Sequence, residues 1–289
     1  MKGLLLALGG GGIRGFFHVG VLRILREHNI PLSGIAGSSA GALAAASYAF
    51  GLELHPDALA EKILDPDLAS LTKVSGGPLG IAQAGTLLFR AMRRPALASQ
   101  GKIAQGLKTL FGDRRIEEAS VPLAVVAADL LTGALVVFRQ GPLVPALLAS
   151  SAIPGIFPPV EIDGRYLVDG DIAEKVPVSA ARMLGRGRVL AIDISNPAPT
   201  EPPQSSLDTV LQSGEASRMR LKDLALKSAD MVLRLPITTP IDTFDQDQIP
   251  FVYELGMETA RAHLSEIRAL LSPWRRILGG WRQKPHPGE

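Results

Sequence analysis

Apolar residues along this chain fall into short, nearly unbroken runs, separated by stretches where they recur every third or fourth position. The runs at 3–9, 121–128 and 189–194 lack the polar alternation of a half-exposed strand. Such runs suit parallel strands covered on both faces. Shorter strand patterns lie at 33–36, 134–138, 165–168 and 231–235. Between them, 16–28 places Phe17, Val21, Leu22, Ile24 and Leu25 at helical spacing, and 42–50 is an Ala-rich helical run. Further helices are predicted over 144–151, 177–184, 207–228 and, as one long element, 253–271. The stretch 196–204 holds four prolines and reads as a loop. Strands alternating with helices predict an α/β fold, a three-layer α/β/α sandwich around a mostly parallel central sheet. No internal repeat or domain boundary interrupts residues 1–271, which read as one domain.

Residues 56–112 break the alternation. They are helical in pattern and carry Arg90, Arg93, Arg94, Lys102 and Lys108, with Leu87, Leu88, Ala91 and Met92 forming one apolar face. Two readings stay open: a cap-like insertion over a lipid site, or amphipathic helices packed on the core.

Composition narrows the function classes. With 289 residues, 46% of them hydrophobic, there is ample material for a large core. The 30 Lys and Arg nearly balance 28 Asp and Glu, so a pI of 9.0 does not signal a nucleic-acid binder. The absence of cysteine excludes disulfides and thiolate catalysis. The apolar start is too short for a signal peptide, runs into Gly9 to Gly12, and reads as a buried strand. No window approaches 18 apolar residues, so the expected address is cytoplasmic.

Two glycine-rich turns carry the candidate chemistry. Gly37-Ser38-Ser39-Ala40-Gly41 follows a strand and opens a helix. Gly37 and Gly41 permit a tight turn, and a serine at its apex projects a hydroxyl above the sheet edge. A chance match in a chain rich in Gly and Ala is the competing reading. Gly10 to Gly15 fits G-x-G-x-x-G, but the end of the next strand lacks the carboxylate that a dinucleotide ribose requires. The same glycine N–H groups would cradle any anion, including the oxyanion of a tetrahedral intermediate.

A serine needs a base. Of the five histidines, only His263 and His286 lie late enough for an ordinary Ser–acid–His order. One falls mid-helix and the other in a polar tail, so a triad is not expected. Asp169 ends a strand, and Gly170 frees the backbone after it, so its carboxylate can project at the edge that carries Ser39. A dry pocket would raise its pKa from the ordinary ~3.9. Asp-Gly is equally a common turn pair.

Taken together and in order, G-G-x-R-G, G-S-S-A-G, the run from Ser150 to Pro159 (S-x-A-I-P-G-x-F-P-P) and Asp169-Gly170 resemble the patatin-like phospholipase family over roughly residues 3–195. The resemblance implies a Ser39–Asp169 dyad without histidine, leaving His18 structural. It also implies an oxyanion hole drawn from Gly11, Gly12, Ile13 and Arg14, with Gly11 and Gly12 as N–H donors and Arg14 as a nearby basic residue. Gly10, Gly15, Gly37, Gly41 and Gly170 support the turns. It implies acyl transfer from a lipid or acyl ester to water, with no cofactor and no metal. Two departures stand out. Asp171 occupies a position usually held by Gly or Ala and is expected to face solvent. Ala173-Glu174-Lys175 replaces an Asn-Pro-like turn.

The tail 272–289 contains both tryptophans. As a helix it would align Trp274, Leu278 and Trp281 opposite Arg275 and Arg282, in the manner of a basic interfacial anchor, although Gly279-Gly280 opposes helix formation. Two other functions remain at this stage: a catalytically weak lipid- or acyl-binding scaffold, or an acyltransferase.

Overall fold

The apolar runs become adjacent strands. The computed structural model describes residues 3–57, 60, 96 and 98–272. Within these, β1 (Leu4–Leu8), β2 (Leu32–Ser38), β3 (Leu123–Asp129), β4 (Leu135–Phe138), β5 (Val160–Ile162), β6 (Arg165–Asp169), β7 (Val189–Asp193) and β8 (Met231–Arg234) form one sheet. Its order is β5-β6-β3-β2-β1-β7-β8, with β4 also paired to β3. Pairings from β3 through β2, β1 and β7 to β8 are parallel. Those of β4, β5 and β6 are antiparallel, so the sheet is mixed.

The flanking helices are α1 (Phe16–Glu27), α2 (Ala40–Ala49), α3 (Gly101–Phe111), α4 (Leu143–Ser150), α5 (Asp171–Glu174), α6 (Val178–Met183), α7 (Ser206–Leu226), α8 (Ile249–Ala262) and α9 (Leu264–Leu270). Alternate residues of β1 enter different cores. Leu4, Leu6 and Leu8 pack in the cluster with residues of α1, α2 and α8. Leu5 and Ala7 pack with Val178, Ala180 and Ala181 of α6 and Leu226 of α7. Burial on both faces explains the unbroken apolar run, since neither side chain direction meets water. No helix among the described residues is long and apolar enough to cross a membrane.

One local expectation needs correction. The long helix expected over 253–271 is two helices, broken at His263, whose Nδ1 lies 2.9 Å from the Thr259 carbonyl. Strand β5 and the one-turn helix α5 were not foreseen; each is too short to show a period. Most of the insertion at 56–112 and the whole Trp274–Leu278–Trp281 stripe lie outside the described residues. Helix α3, within that insertion, is described and buries Ile103, Leu107 and Phe111.

One feature of the sheet positions the chemistry. Strand β3 pairs with β2 over Leu123 to Val126 and with β6 over Ala127 to Asp129. These registers do not overlap. The Pro122 carbonyl accepts from Ile35 and the Leu130 N–H donates to Tyr166, so both bonds leave β3 from even-numbered positions. Alternate residues of a strand present their backbone groups to opposite edges. Strands β2 and β6 therefore share one edge of β3, end to end. Ser38 pairs with Val126 and Asp169 with Ala127, so the end of β2 meets the end of β6.

Candidate active site

The turn after β2 holds Ser39 at φ 51° and ψ −123°, a left-handed conformation that non-glycine residues rarely adopt. Gly37 makes the turn possible: a Cβ there would run into the backbone of Gly41 and Ala42. The buried Ser150 hydroxyl accepts the Ser39 N–H at 2.9 Å and holds the strained residue in place.

Ser39 Oγ donates to Asp169 Oδ2 at 2.7 Å. The carboxylate is oriented from two sides. Its other oxygen accepts the Asp171 N–H at 3.0 Å, and the Asp169 N–H donates to the Ala152 carbonyl at 3.0 Å. The Ser150 to Pro159 run thus has a physical role: Ser150 secures the serine turn and Ala152 the strand end that carries Asp169. Burial raises the Asp169 pKa to about 7, with the like charge of Asp171 adding to the effect. A carboxyl ionising there accepts a hydroxyl proton more readily than one ionising near 4.

Opposite Ser39, a 3-10 turn (Gly12–Gly15) leads into α1. Among the described residues, the Gly11 and Gly12 N–H groups have no hydrogen-bond partner. Ala40, first in α2, adds an N–H with no intrahelical acceptor. It follows the serine directly, where nucleophile elbows supply an oxyanion donor, and the sequence reading passed over it. The stretch expected to form the oxyanion hole divides here. The Ile13 N–H donates to the Thr243 carbonyl at 3.0 Å and is taken. Arg14 lies against Gly11, where a Cβ would be 3.3 Å from its Nη2; its Nε donates to the Ile194 carbonyl at 3.0 Å and Nη1 to the Ile241 carbonyl at 2.5 Å. Burial lowers its pKa, opposed by Asp171, Glu215 and Asp242. It braces the glycine turn against these two carbonyls, a role its place in the motif did not reveal.

Beside Ser39 lies a cavity of about 110 Å³ with mostly apolar walls. Ser39, Ala40, Leu43, Ala44 and Ser47 line it from one face of α2. At 1.5 Å per residue, Ser39 to Ser47 is about 12 Å of helix. Phe16 and Val19 of α1, Ile103 of α3, Ile153, Phe157 and Phe244 complete the walls. No histidine contributes among the described residues. His18 is fully buried with Nε2 2.7 Å from the Gly9 carbonyl, and burial lowers its pKa to about 4. His263 borders β8 and α8 instead, and His286 lies outside the described residues.

Asp171 does not face solvent as expected. It is 8% exposed, accepts from Ser38 Oγ at 3.2 Å and pairs with Lys175 Nζ at 2.8 Å.

A family model described as patatin-like phospholipase matches residues 6–182. The chain belongs to this family. An uncharacterized NTE family protein of Mycobacterium tuberculosis, Rv1063c, is 34% identical over 190 residues, covering 66% of this chain and 48% of that protein. Patatin-like phospholipase domain-containing protein 7 of Rattus norvegicus is 31% identical over 193 residues, covering 66% of this chain and 13% of that protein. The chain thus spans about half the length of the mycobacterial relative and a small part of the mammalian one. Among solved structures, VipD from Legionella pneumophila has a similar fold, with a TM-score of 0.53 at 18% identity, covering 92% of this chain and 67% of that one.

Proposed function

We propose that this protein is a serine acyl hydrolase that cleaves carboxylic esters of lipids through a Ser39–Asp169 dyad. The observation that carries the proposal is the 2.7 Å contact between a strained serine hydroxyl and a buried carboxylate beside an apolar cavity. Asp169 takes the Ser39 proton as Oγ attacks the ester carbonyl, giving a tetrahedral oxyanion. The N–H groups of Gly11, Gly12 and Ala40 are the donors we assign to that oxyanion. Removing one such donor typically costs ~3 kcal/mol of transition-state stabilisation. As the intermediate collapses, the C–O bond to the alcohol breaks and the alcohol leaves with the proton held by Asp169. The acyl group stays on Ser39 as an ester. Water then gives a proton to Asp169 and adds to the acyl carbon; collapse returns the proton to Ser39 Oγ and releases the fatty acid. The acyl chain lies along the apolar face of α2.

The test is hydrolysis of p-nitrophenyl butyrate and octanoate by wild type, Ser39→Ala and Asp169→Ala, with mass-spectrometric mapping of a fluorophosphonate adduct. Both variants are expected to lose at least a thousandfold in kcat/KM, with the label on Ser39. Equal rates in all three proteins, or a label elsewhere, would refute the assignment. Loss of turnover in His263→Ala would point to a triad instead.

A further inference from the structure

Asp171, one departure from the family's pattern, and Lys175, the last residue of the other (Ala173-Glu174-Lys175), are the two ends of one buried ion pair. Both lie on or against α5, four residues apart, with side chains 10% and 6% exposed. Their segment touches the candidate base and both turns. The Asp171 N–H donates to Asp169 Oδ1 at 3.0 Å, and the Asp171 carboxylate accepts from Ser38, the residue before the candidate nucleophile, at 3.2 Å. The same carboxylate packs on Gly10, where any Cβ would collide with it, and the Gly10 N–H donates to the Lys175 carbonyl at 3.0 Å. One helical turn therefore ties together the candidate base, the serine turn and the glycine turn.

Such an arrangement is costly unless it is paired. A carboxylate beside Asp169 repels it, and a buried charge without a partner is unfavourable. Lys175 Nζ at 2.8 Å supplies the compensating charge. Burial lowers the Lys175 pKa, but Asp171 and Glu215 more than offset this and leave it raised, so the ammonium persists at neutral pH.

We propose that Asp171 and Lys175 are positioning residues that act as a matched pair: Asp171 orients the base and the serine turn, and Lys175 offsets part of the repulsion that Asp171 exerts on Asp169. This inference rests on the dyad assignment above. The charged groups that act on Asp169 are Asp171 and Lys175; on β3, Asp129 pairs with Leu167, two residues before Asp169. Behind the pair stand Arg14 from the 3-10 turn, and Glu215 and Arg218 from α7.

The experiment is the pH profile of kcat/KM for p-nitrophenyl octanoate, with circular dichroism as a check on folding. Lys175→Met leaves Asp171 uncompensated, and its acidic limb is expected to move up by roughly one pH unit, an about tenfold loss of rate on that limb. Asp171→Asn removes the repulsion but keeps the main-chain bond to Asp169, and its limb moves down. The double variant loses both charges, and its limb lies between those of the two single variants; Lys175→Arg, which keeps the charge, stays on the wild-type limb. A purely structural role would lower the plateau and leave the limbs aligned. Limbs that stay put, or that move in the same direction in both single variants, would overturn the proposal. Should Lys175→Met fail to fold, Asp171→Asn and the double variant give the decision by the same readout. Failure of the dyad assignment is distinguishable, because Ser39→Ala and Asp169→Ala would then remain active.

Discussion

Replacing Ala44 with phenylalanine places a ring in the cavity beside Ser39, which Ala44 lines from α2. Ala44 is five residues beyond Ser39, about 7.5 Å along the helix. An extended carbon chain advances roughly 1.2 Å per bond, so about six bonds reach this point. The butyryl chain ends short of it and the octanoyl chain passes it. Four further methylenes at ~0.8 kcal/mol each would favour octanoate by about 3 kcal/mol if fully buried. That corresponds to an upper bound of about 200-fold in kcat/KM for the wild type. With the far half of the groove filled, the octanoate-to-butyrate ratio in Ala44→Phe is expected to fall to about tenfold or less, equivalent to roughly two buried methylenes. The assay is kcat/KM for p-nitrophenyl esters of even chain length from four to twelve carbons. The ratio cancels any loss of folded protein, because both substrates report on the same active fraction. An unchanged ratio in a folded variant would show that the acyl chain does not run along α2, and would refute the groove assignment.

Asp169 gives two linked pH effects. Its ionised form is the proposed base, so kcat/KM should rise with pH through about 7, where burial places its pKa. Its effect on stability has the opposite sign: between the unfolded value near 4 and about 7, the folded state keeps a proton that the unfolded state has lost, so stability falls as pH rises. Asp169→Asn should flatten that part of a denaturation-versus-pH curve; an unaltered slope would contradict the burial argument. Farther along the sheet, Lys222 Nζ lies 3.0 Å from Asp193 Oδ2, with both side chains almost fully buried. Lys222→Met is expected to cost ~3 kcal/mol in urea denaturation by leaving that carboxylate with only the longer, 3.9 Å contact to Arg234 as an ion pair. Burial alone would raise the Asp193 pKa, but Lys222 and Ser195 more than offset this and hold it below the ordinary carboxylate value. The stability it contributes is therefore present above pH ~4 and lost as pH falls below that. Lys222→Met should lose that acid dependence.

What the chain determined by itself was local. Unbroken apolar runs announced strands buried on both faces, helical spacing announced the flanking layers, and Gly37-Ser38-Ser39-Ala40-Gly41 announced a turn so tight that its serine sits at φ 51°. These depend on side chains and dihedrals within a few residues of one another, so short windows suffice. Tertiary structure decided everything that depended on pairing across distance. Ser39 and Asp169 are 130 residues apart, and they meet because β2 and β6 share one edge of β3. Motif spacing could imply that meeting only through a resemblance. The same limit explains Arg14, placed by the motif near the glycine turn, whose bonds to the carbonyls of Ile194 and Ile241 only the fold supplies. It explains Asp171 as well. A carboxylate after Asp-Gly reads as a surface residue until the fold closes over it; its pairing with Lys175 at 2.8 Å is local, but the burial of both is not. Whether a charge is buried is a property of its whole surroundings, and no window of sequence contains them.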